Sequence, residues 1–137
     1  MNTSGQCQCG EVRFTVAGEL KRLVNCHCNR CREMNGSAFS SYVVIATENL
    51  RITSGQEKLQ KFAVSDHINK HFCKNCGTPV YNNNPVTYPG LSMLYFGTLK
   101  NTAALMPSMN IFCESKLPWV DTLSLIDSVD GGPHAPK

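Results

Sequence analysis

The sequence lacks the features that mark membrane proteins, secreted proteins and nucleic-acid-binding proteins. Its apolar stretches are far shorter than the roughly 20 residues that a transmembrane helix needs. The N-terminal segment MNTSGQCQCG is polar and has no apolar core of the kind found in signal peptides. No run of like charges appears and the net charge is only +3, so neither a membrane nor a nucleic-acid partner is indicated. We therefore expect a cytoplasmic protein, whose thiols stay reduced.

The length and composition are those of one globular domain. The chain has 137 residues, of which 42% are hydrophobic and 17% charged, and it shows no internal repeat beyond its cysteine motifs. Its last residues, DGGPHAPK, are polar and rich in glycine and proline. The sequence therefore predicts a single domain over residues 1–129, followed by a disordered tail over residues 130–137.

Short strands are predicted along most of the chain, whereas helical periodicity is scarce. Residues 11–17 (EVRFTVA) alternate polar and apolar side chains, and residues 38–46 (AFSSYVVIA) are rich in β-branched and aromatic ones. Further strands are predicted over residues 20–25, 50–53, 59–64, 69–72, 92–98 and 109–114. A short helix over residues 29–34, a turn over residues 102–105 and a loop over residues 82–90 complete the prediction. The fold class is therefore mostly β.

Eight cysteines are many for a chain expected to be reduced, and seven of them fall into three groups. The groups are an N-terminal pair (Cys7 and Cys9), a triplet (Cys26, Cys28 and Cys31) and a knuckle pair (Cys73 and Cys76). An even number permits a disulfide framework, but C-x-C and C-x-x-C spacings place sulfurs together locally. Such spacing suits metal capture better than the joining of distant loops.

Ligand counting favours one way of combining these groups. The knuckle pair is followed by Gly77, which lets the backbone turn tightly around a zinc ion, but it supplies only two ligands. The N-terminal pair can close that site with four sulfurs, which leaves the triplet with three ligands and an open position. In the alternative, Cys28 and Cys31 join the knuckle pair as in an ordinary zinc ribbon. That pairing leaves more thiols without a role, although the spacing alone permits both.

The histidines are weaker ligand candidates than the cysteines. His27 lies inside the triplet, but it alternates with its two cysteine neighbours and would point the opposite way in an extended segment. His67 and His71 flank a predicted strand, so we expect them at the surface or in contact with the metal ligands rather than with the metal. His134 lies in the predicted tail, where no role is expected.

Three other residues have possible roles near these motifs. Cys113 stands alone in an apolar strand pattern and is predicted to be a small core residue. Arg30 and Arg32 adjoin the triplet and could pair with the carboxylates of a peptide-like substrate, although solvated surface charge is the commoner role.

The order of the motifs resembles the glutathione-dependent formaldehyde-activating enzyme family, which also includes centromere protein V. The motifs are CQCGEVRFTV, CHCNRCREMNGSAF, HFCKNCGTPVY, GTLKN and IFCESKLPW, and together they run from about Gly5 to Trp119. The resemblance implies a β-tent of short, mostly antiparallel strands with two zinc ions. It implies a structural zinc at the N-terminal and knuckle pairs, and a second zinc, assigned to catalysis, at the triplet. Many members have other residues at Asn110 and near Lys100, positions expected to lie away from the cysteines.

The chemistry of a three-thiolate zinc site suits thiol exchange at its open position better than hydroxide formation. The resemblance implies that the thiol is glutathione and that it adds to formaldehyde to give S-hydroxymethylglutathione. Such an enzyme is a carbon–sulfur lyase in the reverse direction. Two alternatives remain at this point. One is a non-catalytic zinc module for a protein or nucleic-acid partner, and the other is a paralogue for another thiol or aldehyde. The sequence shows no general acid or base beside the triplet except His27 or His71, and it does not indicate an oligomeric state.

Overall fold

The computed structural model describes residues 2–20 and 22–134, so Met1, Lys21 and residues 135–137 lie outside the described part. In chain order, the strands there are β1 (Asn2–Gln6), β2 (Arg13–Ala17), β3 (Arg22–Cys26), β4 (Ser40–Ala46), β5 (Leu50–Ser54), β6 (Leu59–Ala63), β7 (Asn69–Cys73), β8 (Pro79–Asn83), β9 (Leu91–Tyr95) and β10 (Met109–Ile111). They form a three-stranded sheet, β1–β2–β5, and a seven-stranded sheet, β10–β3–β4–β9–β8–β7–β6. The predicted mostly β fold is confirmed.

Helical structure is limited to short segments. The α-helix α1 spans Asn29–Asn35, and 3-10 turns occupy Thr47–Asn49, Gln56–Lys58, Phe96–Thr98, Cys113–Ser115 and Pro118–Leu125. In the part of the chain that the structure describes, no helix is long and apolar enough to cross a membrane.

The differences from the predicted strands have local causes. The sequence did not reveal β1, whose residues NTSGQ are polar, or β8, which begins at a proline and overlaps the start of the predicted loop over residues 82–90. The predicted strand over residues 109–114 ends at Ile111, because Phe112 has a left-handed backbone with a φ of 56°. One strand pair, β10 with β3, is parallel, whereas every other named pair in the described residues is antiparallel.

The central strands of the larger sheet have buried side chains on both faces, which we call the first and second faces. On the first face, Val43 and Leu94 belong to the main core together with Phe14 and Val16 of the smaller sheet. On the second face, Val24, Tyr42 and Tyr95 form a smaller apolar cluster with cysteines of the triplet. Successive residues of a strand alternate between the faces, and directly paired residues share one.

Helix α1 ends at the Asn35-Gly36 stop signal that the sequence contains, whereas its N-terminal cap was not predicted. The Cys28 sulfur accepts a hydrogen bond from the backbone N–H of Cys31 at 3.2 Å, as an N-cap side chain does. Gly36 has a left-handed backbone, and its N–H donates to the carbonyl of Arg32 at 2.8 Å. The helix over residues 29–34 is therefore confirmed, with one further residue at its end. The tail stays a prediction: residues 130–134 are exposed, and residues 135–137 lie outside the described part.

Two glycines with the same backbone conformation provide a test of the packing between β5 and the segment before β2. Gly55 and Gly18 have φ values of 79° and 81°, but a Cβ on Gly55 would overlap the Glu11 carbonyl oxygen, whereas a Cβ on Gly18 would meet nothing within 4 Å. We expect Gly18→Ala to lower the free energy of unfolding by about 1 kcal/mol and Gly55→Ala by about 2–4 kcal/mol. Urea denaturation of both variants measures this, and equal losses would contradict the predicted overlap.

Candidate metal centres

The structure brings the N-terminal pair and the knuckle pair together into one four-sulfur cluster. Its sulfur atoms all lie within 4.8 Å of one another. The sulfurs of Cys7 and Cys9 are 3.5 Å apart and those of Cys9 and Cys73 are 3.8 Å apart, and all four cysteines are free thiols. Tetrahedral zinc with bonds of about 2.3 Å separates its sulfur ligands by about 3.8 Å. The four sulfurs therefore have the spacing that such an ion needs.

Two similar turns build this cluster. The N–H of Gly10 donates to the carbonyl of Cys7 at 3.1 Å, and the N–H of Gly77 donates to the carbonyl of Cys73 at 2.7 Å. Both glycines have positive φ values, which a side chain would disfavour. The N–H of Val12 also donates to the Cys7 sulfur at 3.3 Å, so part of the hydrogen-bonding shell around the sulfurs is already present.

The surroundings of the four-sulfur cluster favour thiolate formation. Burial opposes ionisation of Cys76, but hydrogen bonds from the side chain and backbone of Thr78 lower its pKa to about 6. The side chain of Asn75 lowers the pKa of Cys9, whereas burial raises the pKa of Cys73 to about 11. Cys76 and Cys9 are therefore the thiols of this cluster that lose their protons most easily.

The triplet forms a second, separate cluster on the second face of the larger sheet. Its three sulfurs lie within 4.8 Å of one another, and Cys26 lies 3.5 Å from Cys28 and 3.4 Å from Cys31. Cys26 ends β3, Cys28 caps α1 and Cys31 is buried in the first turn of that helix. This grouping differs from the zinc-ribbon alternative, since the triplet does not join the knuckle pair. Either cluster could hold a metal ion.

Tyr42 contacts the triplet, which the sequence did not reveal. Its hydroxyl lies 3.3 Å from the Cys31 sulfur, and its side chain is 5% exposed. Burial raises the pKa of this phenol, so it keeps its proton and can donate it in a hydrogen bond to the sulfur. From the sequence, Tyr42 could be predicted only as a tyrosine in a buried strand. Its distance to the triplet depends on how α1 lies across β4.

A chain of buried hydrogen bonds fixes the orientation of that hydroxyl. The Asn82 amide donates from Nδ2 to the Tyr42 hydroxyl at 3.2 Å, while its Oδ1 lies 2.9 Å from the Tyr95 hydroxyl. Tyr95 is also 2.9 Å from Oδ1 of Asn35, the last residue of α1. Since Tyr42 accepts from Asn82, its own hydrogen is free to point at Cys31.

His27 points away from the triplet, as its alternation predicted. It is 1% exposed, and its Nε2 lies 3.2 Å from Oδ1 of Asn110. Asn25 also donates to that oxygen, at 3.2 Å. The expectation that Asn110 lies away from the cysteines is therefore wrong, because β10 pairs with β3 and places Asn110 beside the residue that precedes Cys26.

The two arginines next to the triplet have different environments. Arg32 donates from Nη1 to the carbonyls of His27 at 3.1 Å and Ser115 at 2.6 Å, and from Nη2 to the Asn29 side chain. These hydrogen bonds hold the segment between β3 and α1 in place and leave Arg32 few N–H groups for a ligand. Arg30 instead lines an open groove beside α1.

The remaining candidates take no direct part in either cluster. Cys113 is exposed in a 3-10 turn, so its predicted place in the core is wrong, since the left-handed Phe112 ends the strand before it. His71 is half-buried and stacks on Tyr81 with ring centroids 4.1 Å apart, and burial lowers its pKa. His67 and His134 are exposed.

Comparison with known proteins identifies the family of the chain. A family model described as glutathione-dependent formaldehyde-activating enzyme matches residues 2–115. The chain belongs to this family. A crystal structure of a Rhodobacter sphaeroides protein superposes with a TM-score of 0.64 at 20% identity, covering 78% of this chain and 98% of that one. That likeness shows the fold.

Several curated fungal proteins are similar over part of their length. A Fusarium vanettenii protein named "Putative glutathione-dependent formaldehyde-activating enzyme" is 32% identical over 56% of this chain and 41% of its own length. A protein of the same name from Aspergillus flavus is 29% identical over 61% of this chain and 44% of its own. A Schizosaccharomyces pombe protein named as an uncharacterised lyase is 32% identical over 56% and 54%. The chain thus spans about half the length of these relatives.

The two clusters predict opposite results for serine substitutions. Cys73 is fully buried and joins distant parts of the chain, so we expect Cys73→Ser to give unfolded or insoluble protein, because structural zinc supplies about 10 kcal/mol or more. Cys28 belongs to a local cluster, so Cys28→Ser should stay folded and bind one zinc ion fewer than the unaltered protein, which we expect to bind two. Circular dichroism and metal analysis measure both results. A folded Cys73→Ser with an unchanged melting temperature, or a Cys28→Ser that keeps two zinc ions, would contradict these roles.

Tyr42→Phe removes the hydrogen bond to the Cys31 sulfur while keeping the ring. We expect the fold to persist and the metal affinity of the triplet to change by about tenfold to a hundredfold, as other losses of such partners do. With cobalt in place of zinc, the sulfur-to-metal charge-transfer band should shift as well. Tyr81→Phe is the matched control, since Tyr81 packs against the main core and stacks on His71, away from the triplet. Identical spectra for Tyr42→Phe and the unaltered protein would show that this contact does not tune the site.

Proposed function

We propose that the protein promotes the addition of glutathione to formaldehyde at the triplet. The observation that carries the proposal is the difference between the two clusters: one has four sulfurs and is complete, and the other has three. Membership in the family supports glutathione and formaldehyde as the substrates. In the reaction a carbon–sulfur bond forms, the carbonyl π electrons move to oxygen, and that oxygen takes up the proton lost by the thiol.

Cys26, Cys28 and Cys31 would hold the catalytic zinc, and the other four grouped cysteines a structural one. When zinc is bound by three thiolates, it supplies an open coordination position that favours the deprotonated form of an incoming thiol. The spacing of 3.4–3.5 Å between the triplet sulfurs fits this use.

The residues around the triplet keep its geometry fixed. Tyr42 donates to Cys31 and withdraws negative charge from a site that would carry three thiolates. Arg32 ties the backbone between β3 and α1 to Ser115, and Asn82 holds the Tyr42 hydroxyl in place. These are positioning residues, which act on the substrate only through the ligands.

Coordination of the substrate sulfur predicts a specific dependence on pH and on methylation. Binding of glutathione to the zinc-loaded protein should strengthen up to about tenfold per pH unit below the pKa of the thiol, near 8.5, and level off above it. S-methylglutathione cannot form a thiolate, so it should bind more weakly and show no such rise. Calorimetric titration with both ligands measures the difference. Equal affinities would eliminate thiolate coordination and favour a non-catalytic module instead.

Catalysis itself needs a rate measurement, because thiols and formaldehyde also combine without an enzyme. Exchange spectroscopy by NMR reports how fast formaldehyde and S-hydroxymethylglutathione interconvert. The folded Cys28→Ser variant is the matched control, and it should return this rate to the value in buffer.

A further inference from the structure

An open groove of about 520 Å³ lies beside α1, between that helix and the outer strands β6 and β7. Phe62 and Val64 contribute apolar surface to it, and Phe62 is 57% exposed. Arg30, Glu33 and Lys70 supply its charged groups. The volume is within the range of small-molecule sites, which combine apolar walls with a few polar contacts.

The groove opens on the same face of the sheet as the triplet. Lys70 pairs directly with Phe62 on one side and with Asn82 on the other, so all three lie on one face. Asn82 hydrogen-bonds Tyr42, which contacts the triplet. Arg30 lies in sequence between Cys28, the N-cap of α1, and Cys31 in its first turn, so one short helix carries residues of both the groove and the triplet.

Among the residues that the structure describes, the cations of the groove have no anionic partner. Lys70 donates from Nζ to the carbonyl of Met34 at 2.8 Å, which uses one of its three donors and leaves its charge unpaired. Within the described residues, the side chains of Arg30 and Glu33 make no hydrogen bond or ion pair. Burial lowers the pKa of Lys70, and a nearby anion would offset that desolvation.

We propose that this groove binds the charged ends of the thiol substrate, with Arg30 and Lys70 contacting its carboxylates and Glu33 its ammonium group, an assignment that rests on the function proposed above. Glutathione carries two carboxylates and one ammonium group, the reverse of the charges in the groove. Its thiol lies on the central residue, so both charged ends can contact the groove while the sulfur is directed toward the triplet.

The test compares substitutions in the groove with matched substitutions elsewhere. Calorimetry on the zinc-loaded full chain measures the binding of glutathione and of 2-mercaptoethanol, which is a thiol without charge. Arg30→Gln and Lys70→Gln should each weaken glutathione about tenfold to a hundredfold and leave 2-mercaptoethanol unchanged. Lys61→Gln and Arg51→Gln are the controls, because both residues are exposed and lie outside the groove. Metal analysis should find two zinc ions in every variant.

The ammonium contact has a separate test. Glu33→Gln should weaken glutathione but not N-acetylcysteine, which has a carboxylate and no ammonium group. Equal losses for both thiols would remove Glu33 from the subsite.

S-methylglutathione separates a failure of the groove from a failure of the proposed function. If glutathione binds better than its S-methyl form but Arg30→Gln and Lys70→Gln change neither, the groove assignment is overturned while thiolate coordination stands. If the two ligands bind equally and both substitutions weaken both, the groove is supported and the proposed chemistry is wrong. If neither ligand binds the unaltered protein, both are overturned.

Discussion

The close approach of four sulfurs from two distant segments is the constraint on which the rest of the structure depends. Cys9 and Cys73 are 64 residues apart in sequence, yet their sulfurs lie 3.8 Å apart. Joining such segments costs loop-closure entropy, and thiolates this close repel one another unless a cation lies between them. Cys7 and Cys73 also belong to the main core, so the cluster extends the packing between the two sheets.

The triplet differs from the four-sulfur cluster, because its three cysteines come from a single short segment. It closes no long loop and depends on how β3 ends and α1 begins. A site of this kind contributes less to the stability of the whole chain, and its geometry can be tuned by neighbours without unfolding the protein. The length of chain that each cluster closes therefore supports the proposed division into one structural and one reactive site.

Local patterns predicted the features that depend on nearby residues. The cysteine spacings favoured the observed grouping, alternation placed His27 on the far side of β3, and Gly36 ended α1 as expected. Features that depend on strand register were not predictable. Tyr42 and Asn82 meet only because β4, β9 and β8 are neighbours in the sheet.

Other misses also arose from information that a single sequence does not carry. Lys70 enters the groove because β7 lies beneath α1, and nothing local to that residue shows this. The sequence around Cys113 has the pattern of a strand, but Phe112 has a left-handed backbone and ends the strand before Cys113. The polar composition of β1 hid a strand whose backbone pairs with β2 over its full length.

The Cys28 sulfur is both a candidate metal ligand and the N-cap of α1, so metal binding and the order of this helix are coupled. A helix of seven residues is too short to be stable alone, and the Cys28 sulfur holds its first turn. The same helix carries Arg30 and Glu33 into the groove. Any ligand that orders this helix must therefore strengthen metal retention at the triplet, and the metal must strengthen the ligand by the same factor. A ligand in the groove and a metal at the triplet would then each slow the release of the other, through the order of one short helix.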